Sequence, residues 1–241
     1  MNIFEEIDFQ NTPLGEISLR KRSEPRLDNT LIYEVKMNEE FLMSSLFVEA
    51  ELQLSHLGLA ELEGNNLDVI VGGLGLGYTA FAALENQNVS SLKVIDVMAP
   101  VIDWHKRGLV PMGPELMADD RCELVLGDFF ALATSDSQGF GIANNDQKVH
   151  AVLLDIDHTP DFWLSPGNHR FYTEEGLRAM SDKLHPGGVF ALWSDDLPDA
   201  RFTELLDSVF ETSEAHIVTF PNAYTQSESS NSVYVARKGS T

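Results

Sequence analysis

The pattern of apolar and polar positions changes character near residue 66. Before that point the two kinds of residue alternate in Gly15–Arg20 and Thr30–Lys36, which predicts half-exposed antiparallel strands. Apolar residues at helical spacing then run through Leu46–Leu62 and predict one helix. We therefore expect residues 1–66 to form a small β-rich segment with a linking helix, and residues 67–241 to form an α/β domain.

From residue 67 onward, short apolar runs alternate with helical patterns. The predicted strands are Leu67–Val71, Leu92–Asp96, Cys122–Leu126, Ala151–Asp155, Val189–Trp193, Ala215–Phe220 and Ser232–Arg237. The predicted helices are Tyr78–Glu85, Val101–Arg107, Thr173–Lys183 and Ala200–Phe210. This order predicts a Rossmann-like α/β fold with a mostly parallel sheet of about seven strands, covered by helices on both faces. The last two strands are expected to pair antiparallel at the sheet edge, and the polar segment 135–147 to form a surface loop.

The first strand of the α/β region runs directly into a glycine-rich turn and a helix. The sequence over Leu67–Thr79 is LDVIVGGLGLGYT. Glycines allow positive φ and a close approach of backbone to ligand, and a helix start exposes unpaired N–H groups. Asp96 ends the next strand about 20 residues further on, a spacing at which a carboxylate binds ribose hydroxyls. The sequence therefore predicts a site for an adenosine-type ligand.

Further polar residues follow the next strands. Asp128 comes after the third strand, and Asp155, Asp157 and His158 follow the fourth. Because the carboxyl ends of parallel strands share one edge of a sheet, these side chains are expected to converge on one crevice. Taken singly, each Asp is better explained as a helix cap or turn residue, but the glycine turn and three acidic strand ends along one edge together favour a site. His158 has two open interpretations, a second base or a turn residue whose ring faces solvent.

Composition narrows the class of partner. The chain carries 38 acidic and 16 basic residues, for a net charge of −22, which disfavours nucleic acid and anionic lipid. The same charge attracts a cationic substrate, although acidity also serves solubility alone. No apolar run reaches transmembrane length, the N-terminal sequence lacks a signal-peptide pattern, and Cys122 is the single cysteine. We expect a cytoplasmic protein without a metal, since the histidines show no ligand spacing.

At this point the chain resembles the spermidine synthase family, a branch of the class I S-adenosylmethionine-dependent methyltransferase fold. The resemblance covers about Leu67 to Trp193. Its motifs are GGLGLG (Gly72–Gly77), VIDV (Val94–Val97), GDFF (Gly127–Phe130), LLDIDHTP (Leu153–Pro160), FYTEEGL (Phe171–Leu177) and LHPGGVFALW (Leu184–Trp193). The early β-rich segment is similar to the family's small N-terminal β-domain. The resemblance implies transfer of an aminopropyl group from decarboxylated S-adenosylmethionine to a small cationic amine.

The resemblance also implies roles on the nucleoside side of the site. Gly73, Gly75 and Gly77 would face the aminoacyl part of the nucleoside ligand. Asp96 would bind the ribose hydroxyls, and Asp128 would accept a hydrogen bond from the adenine amino group.

On the acceptor side, the resemblance implies that Asp155 holds the attacking amine and takes its proton, a role that fits general-base chemistry. Asp157 would help to bind the cationic tail of the acceptor. Two departures fall on this side. The family's DSSDP-like run here reads DIDHT over Asp155–Thr159, and its tyrosine–histidine pair is missing from Asn38–Leu52. Two alternatives therefore stay open, an S-adenosylmethionine-dependent methyltransferase and a non-catalytic nucleoside-binding relative.

The N-terminal strands also raise the question of assembly. Two strands alone are too few to be stable and must pack on something. Their exposed edges are suited to pairing across a two-fold axis, so we expect a homodimer.

Overall fold

The computed structural model describes residues 3–38, 40–137, 139–140 and 148–240, which form two sheets and their flanking helices. The strands are β1 (Phe4–Thr12), β2 (Gly15–Glu24), β3 (Thr30–Met37), β4 (Glu40–Ser44), β5 (Leu67–Gly72), β6 (Val89–Asp96), β7 (Cys122–Leu126), β8 (Val149–Leu154), β9 (Leu184–Ser194), β10 (Thr212–Asn222) and β11 (Ser227–Arg237). The helices are α1 (Glu49–Ala60), α2 (Tyr78–Glu85), α3 (Ala99–Lys106), α4 (Gly113–Ala118), α5 (Phe129–Thr134), α6 (Glu174–Ser181) and α7 (Ala200–Asp207). Most of the surface loop expected at 135–147 lies outside the described residues.

The large sheet has seven strands in the order β10-β11-β9-β8-β5-β6-β7. The five strands from β9 to β7 pair in parallel, whereas β11 runs antiparallel to both β9 and β10. The expected fold, a mostly parallel seven-stranded sheet with an antiparallel pair at its edge, is confirmed. The strand order reverses direction between β5 and β8, which is the point at which open α/β sheets bind their ligands.

Alternating side chains of the central strands pack into two separate cores. Val69, Val71 and Leu153 join a cluster that contains buried residues of α1, α2, α3 and α4. Ile70 and Leu154 point the other way, into a cluster built with α5, α6 and α7. The sheet is therefore covered on both faces, as the nearly continuous apolar runs of its parallel strands require.

The small sheet consists of the four antiparallel strands β1-β2-β3-β4. The sequence predicted two of these strands and missed β1, whose residues are mostly exposed, and β4, which has only five residues. Ile17, Leu19 and Val35 are fully buried and belong to the same core as α1 to α4. The support that the strands were expected to need is thus supplied within this chain. The division at residue 66 and the homodimer stay predictions.

The helices differ from the predicted ones mainly at their ends. The linking helix α1 begins at Glu49, three residues after the predicted Leu46. The short helices α4 and α5 have six residues each and were not predicted, because so few residues show no clear helical period. The start of α6 was predicted to within one residue, and Thr173 there accepts a hydrogen bond from the Gly176 N–H.

Candidate functional site

A cavity of about 480 Å³ lies where the small sheet meets the carboxyl ends of the parallel strands. This volume falls in the usual range for small-molecule sites. One wall is apolar and comes from the small sheet and its β1–β2 turn, with Leu14, Met37, Leu42 and Met43. The opposite wall is formed by the glycine turn and by residues that follow β6, β7 and β8. The crevice predicted from the sequence therefore exists at the predicted edge of the sheet.

The glycine turn is shaped by contacts within the protein. Gly73, Gly75 and Gly77 all line the cavity and all have positive φ. A Cβ atom on Gly73, at φ +92°, would overlap the backbone oxygen of Asp155. A Cβ atom on Gly77 would lie 2.7 Å from the ring of His105. Close packing within the protein therefore explains why positions 73 and 77 carry glycine, without reference to a ligand.

Asp96 ends β6 and fastens the glycine turn to the sheet. Its Oδ2 accepts a hydrogen bond from the Leu74 N–H at 2.9 Å, and its Oδ1 accepts one from the Met98 N–H at 2.7 Å. Burial raises the pKa of Asp96, and these two donors together with the backbone of Gly75 oppose the rise. A carboxylate has about four lone-pair sites, so some acceptor capacity remains for a ligand hydroxyl.

Asp128 has one clear structural role. It is the N-cap of α5, and its Oδ1 accepts a hydrogen bond from the Ala131 N–H at 3.1 Å. Its side chain is exposed and also lines the cavity. The cap explains why an Asp stands here, and it holds the carboxylate at the cavity wall.

Asp155 lies directly after β8, opposite the glycine turn. Its N–H donates to the Gly72 oxygen at 2.8 Å, which fixes its backbone beside β5. Its Oδ2 accepts a hydrogen bond from the hydroxyl of Thr79 at 2.7 Å. Burial raises the pKa of Asp155, and the Thr79 hydroxyl counteracts part of that rise. Thr79, which the sequence analysis did not single out, is a buried residue of α2 that orients this carboxylate.

Glu51 is a cavity carboxylate that the sequence analysis missed. It is the third residue of α1 and lines the cavity together with Asp155. Burial raises the pKa of Glu51, and the negative charge of Asp155 adds to the rise. In the sequence Glu51 looks like an ordinary first-turn helix acid, as does Glu49, and nothing local distinguishes the two.

The charges that line the cavity have one sign. Four carboxylates, those of Glu51, Asp96, Asp128 and Asp155, are among the described lining residues. These lining residues include no Lys or Arg, and His158 is their one imidazole. Buried carboxylates without a protein cation are costly, so the site is suited to a ligand that brings positive charge.

Asp157 stands apart from the other predicted catalytic residues. It is 1% exposed and does not belong to the cavity lining. Its carboxylate accepts hydrogen bonds from the Leu164 N–H at 2.7 Å, the Asn168 amide at 2.9 Å and the Tyr172 hydroxyl at 2.9 Å. Burial raises the pKa of Asp157, against these donors. Its hydrogen bonds anchor the segment from 164 to 172, and the acceptor-tail role expected for Asp157 stays a prediction that these bonds do not support.

His158 lines the cavity, with its ring stacked on that of Phe162 at a centroid distance of 5.0 Å. Its backbone oxygen accepts a hydrogen bond from the Asp195 N–H at 2.8 Å. His158 is half-buried, and both sequence interpretations of it, a second base and a turn residue, stay open.

Two further side chains near the cavity hold buried nitrogens without a hydrogen-bond partner among the described residues, His105 Nδ1 and Trp193 Nε1. The other ring nitrogen of His105, Nε2, is hydrogen-bonded to the Gly75 oxygen at 2.9 Å. Burial lowers the pKa of His105 to about 4, so the ring is neutral and Nε2 donates to the glycine turn. Trp193 lines the cavity at the end of β9.

Two general features of the described chain bear on the class of protein. No group of three or more His, Cys, Asp or Glu side chains within it has an arrangement that would hold a metal ion. None of its helices combines the length and apolar character needed to cross a membrane.

The architecture of this chain is similar to that of solved structures. No protein-family model matches the chain. Its structure is similar to that of spermidine synthase from Thermotoga maritima, with a TM-score of 0.71 and 16% identity over 98% of this chain and 73% of that one. It is also similar to a spermidine synthase in complex with the transition-state analogue AdoDATO, with a TM-score of 0.72 and 18% identity over 98% and 74% of the two chains. The chain therefore has the spermidine synthase fold, in which a small antiparallel sheet precedes a seven-stranded α/β domain.

Proposed function

We propose that this protein is a transferase that moves an aminopropyl group from decarboxylated S-adenosylmethionine to an amine. The observation that carries the proposal is the charge of the cavity, where four carboxylates and no described Lys or Arg surround the glycine turn. Both substrates of such a reaction are cations, a sulfonium and an ammonium. The fold shared with spermidine synthases supports the same activity.

The nucleoside is proposed to lie along the glycine turn and the ends of β6 and β7. Asp96 keeps unused acceptor capacity beside the turn and is suited to the ribose hydroxyls. Asp128 presents its capping carboxylate to the same side of the cavity and is suited to the adenine amino group. Gly73, Gly75 and Gly77 line the cavity and are proposed to face the aminopropyl chain attached to sulfur.

Asp155 is proposed to act as the base. An ammonium has no lone pair, so the acceptor must lose a proton before its nitrogen can attack carbon. The bound sulfonium supplies an activated carbon and a neutral thioether leaving group. A C–N bond forms as the C–S bond breaks, and the proton passes to the Asp155 carboxylate. The raised pKa of Asp155 makes this carboxylate a stronger base than an exposed Asp.

A methyltransferase on the same framework is the second candidate, and the placement of Asp157 favours it. That carboxylate is committed to Leu164, Asn168 and Tyr172, so it does not provide the second acid expected for a polyamine tail. A methyl donor would use the same glycine turn, with Asp96 in the same role.

The reaction products distinguish the candidates. The purified protein is incubated with decarboxylated S-adenosylmethionine or with S-adenosylmethionine, each with a panel of amines, and the products are identified by mass spectrometry. Methylthioadenosine together with an aminopropylated amine is the expected result. Formation of S-adenosylhomocysteine and a methylated acceptor would replace this proposal with the second candidate. If neither donor gives a product, both transferase candidates are refuted, and a non-catalytic nucleoside-binding relative is the remaining alternative.

A further inference from the structure

Glu51 is the cavity carboxylate to which the proposed reaction gives no role. Its helix, α1, packs on α2 and on β9, the strand that contains Trp193. The Ser55 hydroxyl of α1 donates to the Thr79 oxygen at 2.6 Å, and the Thr79 hydroxyl donates to Asp155. Glu51 and Asp155 are thereby held in a fixed relation on two walls of one cavity.

The neighbouring charges that act on Glu51 are negative. Asp155 after β8, Glu49 on its own helix and Asp195 after β9 all raise the pKa of Glu51, in addition to the effect of burial. Tyr78 of α2 lines the same cavity, and burial, with a smaller contribution from the negative charge of Glu51, raises the pKa of that phenol. Neither Glu51 nor Asp155 takes part in an ion pair found among the described residues. Within the described residues, two carboxylates thus line one cavity and no Lys or Arg lines it with them.

We propose that Glu51 and Asp155 form a two-carboxylate subsite that binds the ammonium group of the acceptor. Glu51 anchors the nitrogen through a charge-assisted hydrogen bond, and Asp155 accepts the proton that the nitrogen must lose. This assignment rests on the proposed function for the role of Asp155, but the binding role of Glu51 is independent of which group is transferred. The subsite supplies a second acid from α1, where the expected one after β8, Asp157, is turned away.

The competing explanation is that Glu51 only stabilises the start of α1. Acidic residues in the first helical turn interact favourably with the helix dipole. Glu49 shares that property and its carboxylate also accepts a hydrogen bond from the Val48 N–H at 3.0 Å, yet it does not line the cavity. Glu49→Gln therefore removes the same charge from the same helical turn and is the matched control for Glu51→Gln.

Binding of the amine to Glu51 and Asp155 is also expected to release a proton. Since burial and mutual repulsion favour protonation, the free pair retains a proton at a pH where isolated carboxyls are ionised. An arriving ammonium stabilises both negative charges and displaces that proton. Calorimetry in two buffers of different ionisation enthalpy measures the proton released, and we expect release by the wild type and less release by Glu51→Gln.

The test uses the full chain saturated with methylthioadenosine and titrated with n-butylamine or 1,4-diaminobutane. Glu51→Gln should weaken amine binding about 10- to 100-fold, the usual effect of losing a charge-assisted contact. Glu49→Gln should stay within about twofold of the wild type. Neither change should alter the dissociation constant of methylthioadenosine. The thermal midpoint of ligand-free Glu51→Gln should rise by about 2–4 °C, since a buried repulsion is removed.

The outcomes separate this inference from the proposed reaction. Glu51-dependent amine binding without aminopropyl transfer would support the subsite and refute the reaction. Equal amine affinity in Glu51→Gln and wild type would overturn the subsite, even if transfer occurs. Failure of both amines to bind the wild-type complex would overturn it as well, and so would an equal loss of affinity in Glu49→Gln.

Discussion

The two halves of the cavity hold their carboxylates in different ways. On the nucleoside side, the Asp96 carboxylate accepts hydrogen bonds from the backbone N–H groups of Leu74 in the glycine turn and of Met98, and Asp128 accepts one from the Ala131 N–H. On the acceptor side, Asp155 accepts one hydrogen bond from the Thr79 hydroxyl, and Glu51 lines the same cavity. The folded backbone thus provides hydrogen-bond donors to the carboxylates on the nucleoside side. On the acceptor side, the negative charges of Glu51 and Asp155 have fewer such donors. A binding partner therefore has more to contribute on the acceptor side.

The largest effect is expected for Asp155→Asn. Asparagine keeps the shape and an oxygen that accepts the Thr79 hydroxyl bond, but it cannot take a proton from the amine. Turnover should fall about 10²- to 10⁴-fold, the usual contribution of a positioned base, with little change in nucleoside affinity. Steady-state rates and calorimetry measure the two quantities. Near-normal turnover by Asp155→Asn would contradict the base role and show that Asp155 serves only as a turn residue.

The junction between the two halves is tested by Gly73→Ala. The new Cβ would strain the backbone at φ +92° and also collide with the Asp155 oxygen. Gly64→Ala is a matched control, because Gly64 has φ +99° and nothing within 4 Å of the added Cβ. The control should cost about 1–2 kcal/mol from backbone strain alone, and Gly73→Ala should cost at least about twice as much.

Thermal midpoints report this difference, at about 2–4 °C per kcal/mol for a chain of this size. Equal losses for Gly73→Ala and Gly64→Ala would show that the close contact between the glycine turn and Asp155 does not constrain the fold.

On the nucleoside side, Asp96→Ala should weaken nucleoside binding by about 1.5–3 kcal/mol, or roughly 10- to 100-fold. It removes both a hydroxyl acceptor and the bonds that hold Leu74 and Met98. Asp120→Ala removes an exposed carboxylate outside the cavity and should leave the affinity unchanged. An unaltered methylthioadenosine dissociation constant in Asp96→Ala would remove Asp96 from the site.

The smallest effect is a pH dependence of stability on the acceptor side. The folded-state pKa of Glu51 is raised above that of an unfolded carboxyl, so the folded chain binds the extra proton. The contribution of Glu51 to stability is therefore fully present below about pH 4, the unfolded value, and is lost as pH rises through the raised pKa. The difference in thermal midpoint between Glu51→Gln and wild type should grow from acid to neutral pH. A constant difference would contradict the burial of a titrating Glu51.

The sequence predicted the parts of the molecule that are encoded in consecutive residues. Strand, turn and acid follow one another at Leu67–Thr79 and at Asp96, and the parallel sheet places their ends at one edge. Asp155 was predicted in the same way. Glu51 and Thr79 were missed because their placement depends on how α1 and α2 pack, which no local pattern encodes. Asp157 shows the reverse, since it has the expected sequence position while its side chain is committed to residues 164–172.

The most direct test of the account is calorimetric titration of the wild-type protein with decarboxylated S-adenosylmethionine, S-adenosylmethionine and methylthioadenosine. The acidic cavity at the glycine turn predicts binding of the nucleosides, with preference for the decarboxylated sulfonium, which lacks a carboxylate to be repelled by Glu51 and Asp155. Preference for S-adenosylmethionine would favour methyl transfer. Binding of none of the three would contradict the central claim that this cavity is a nucleoside site.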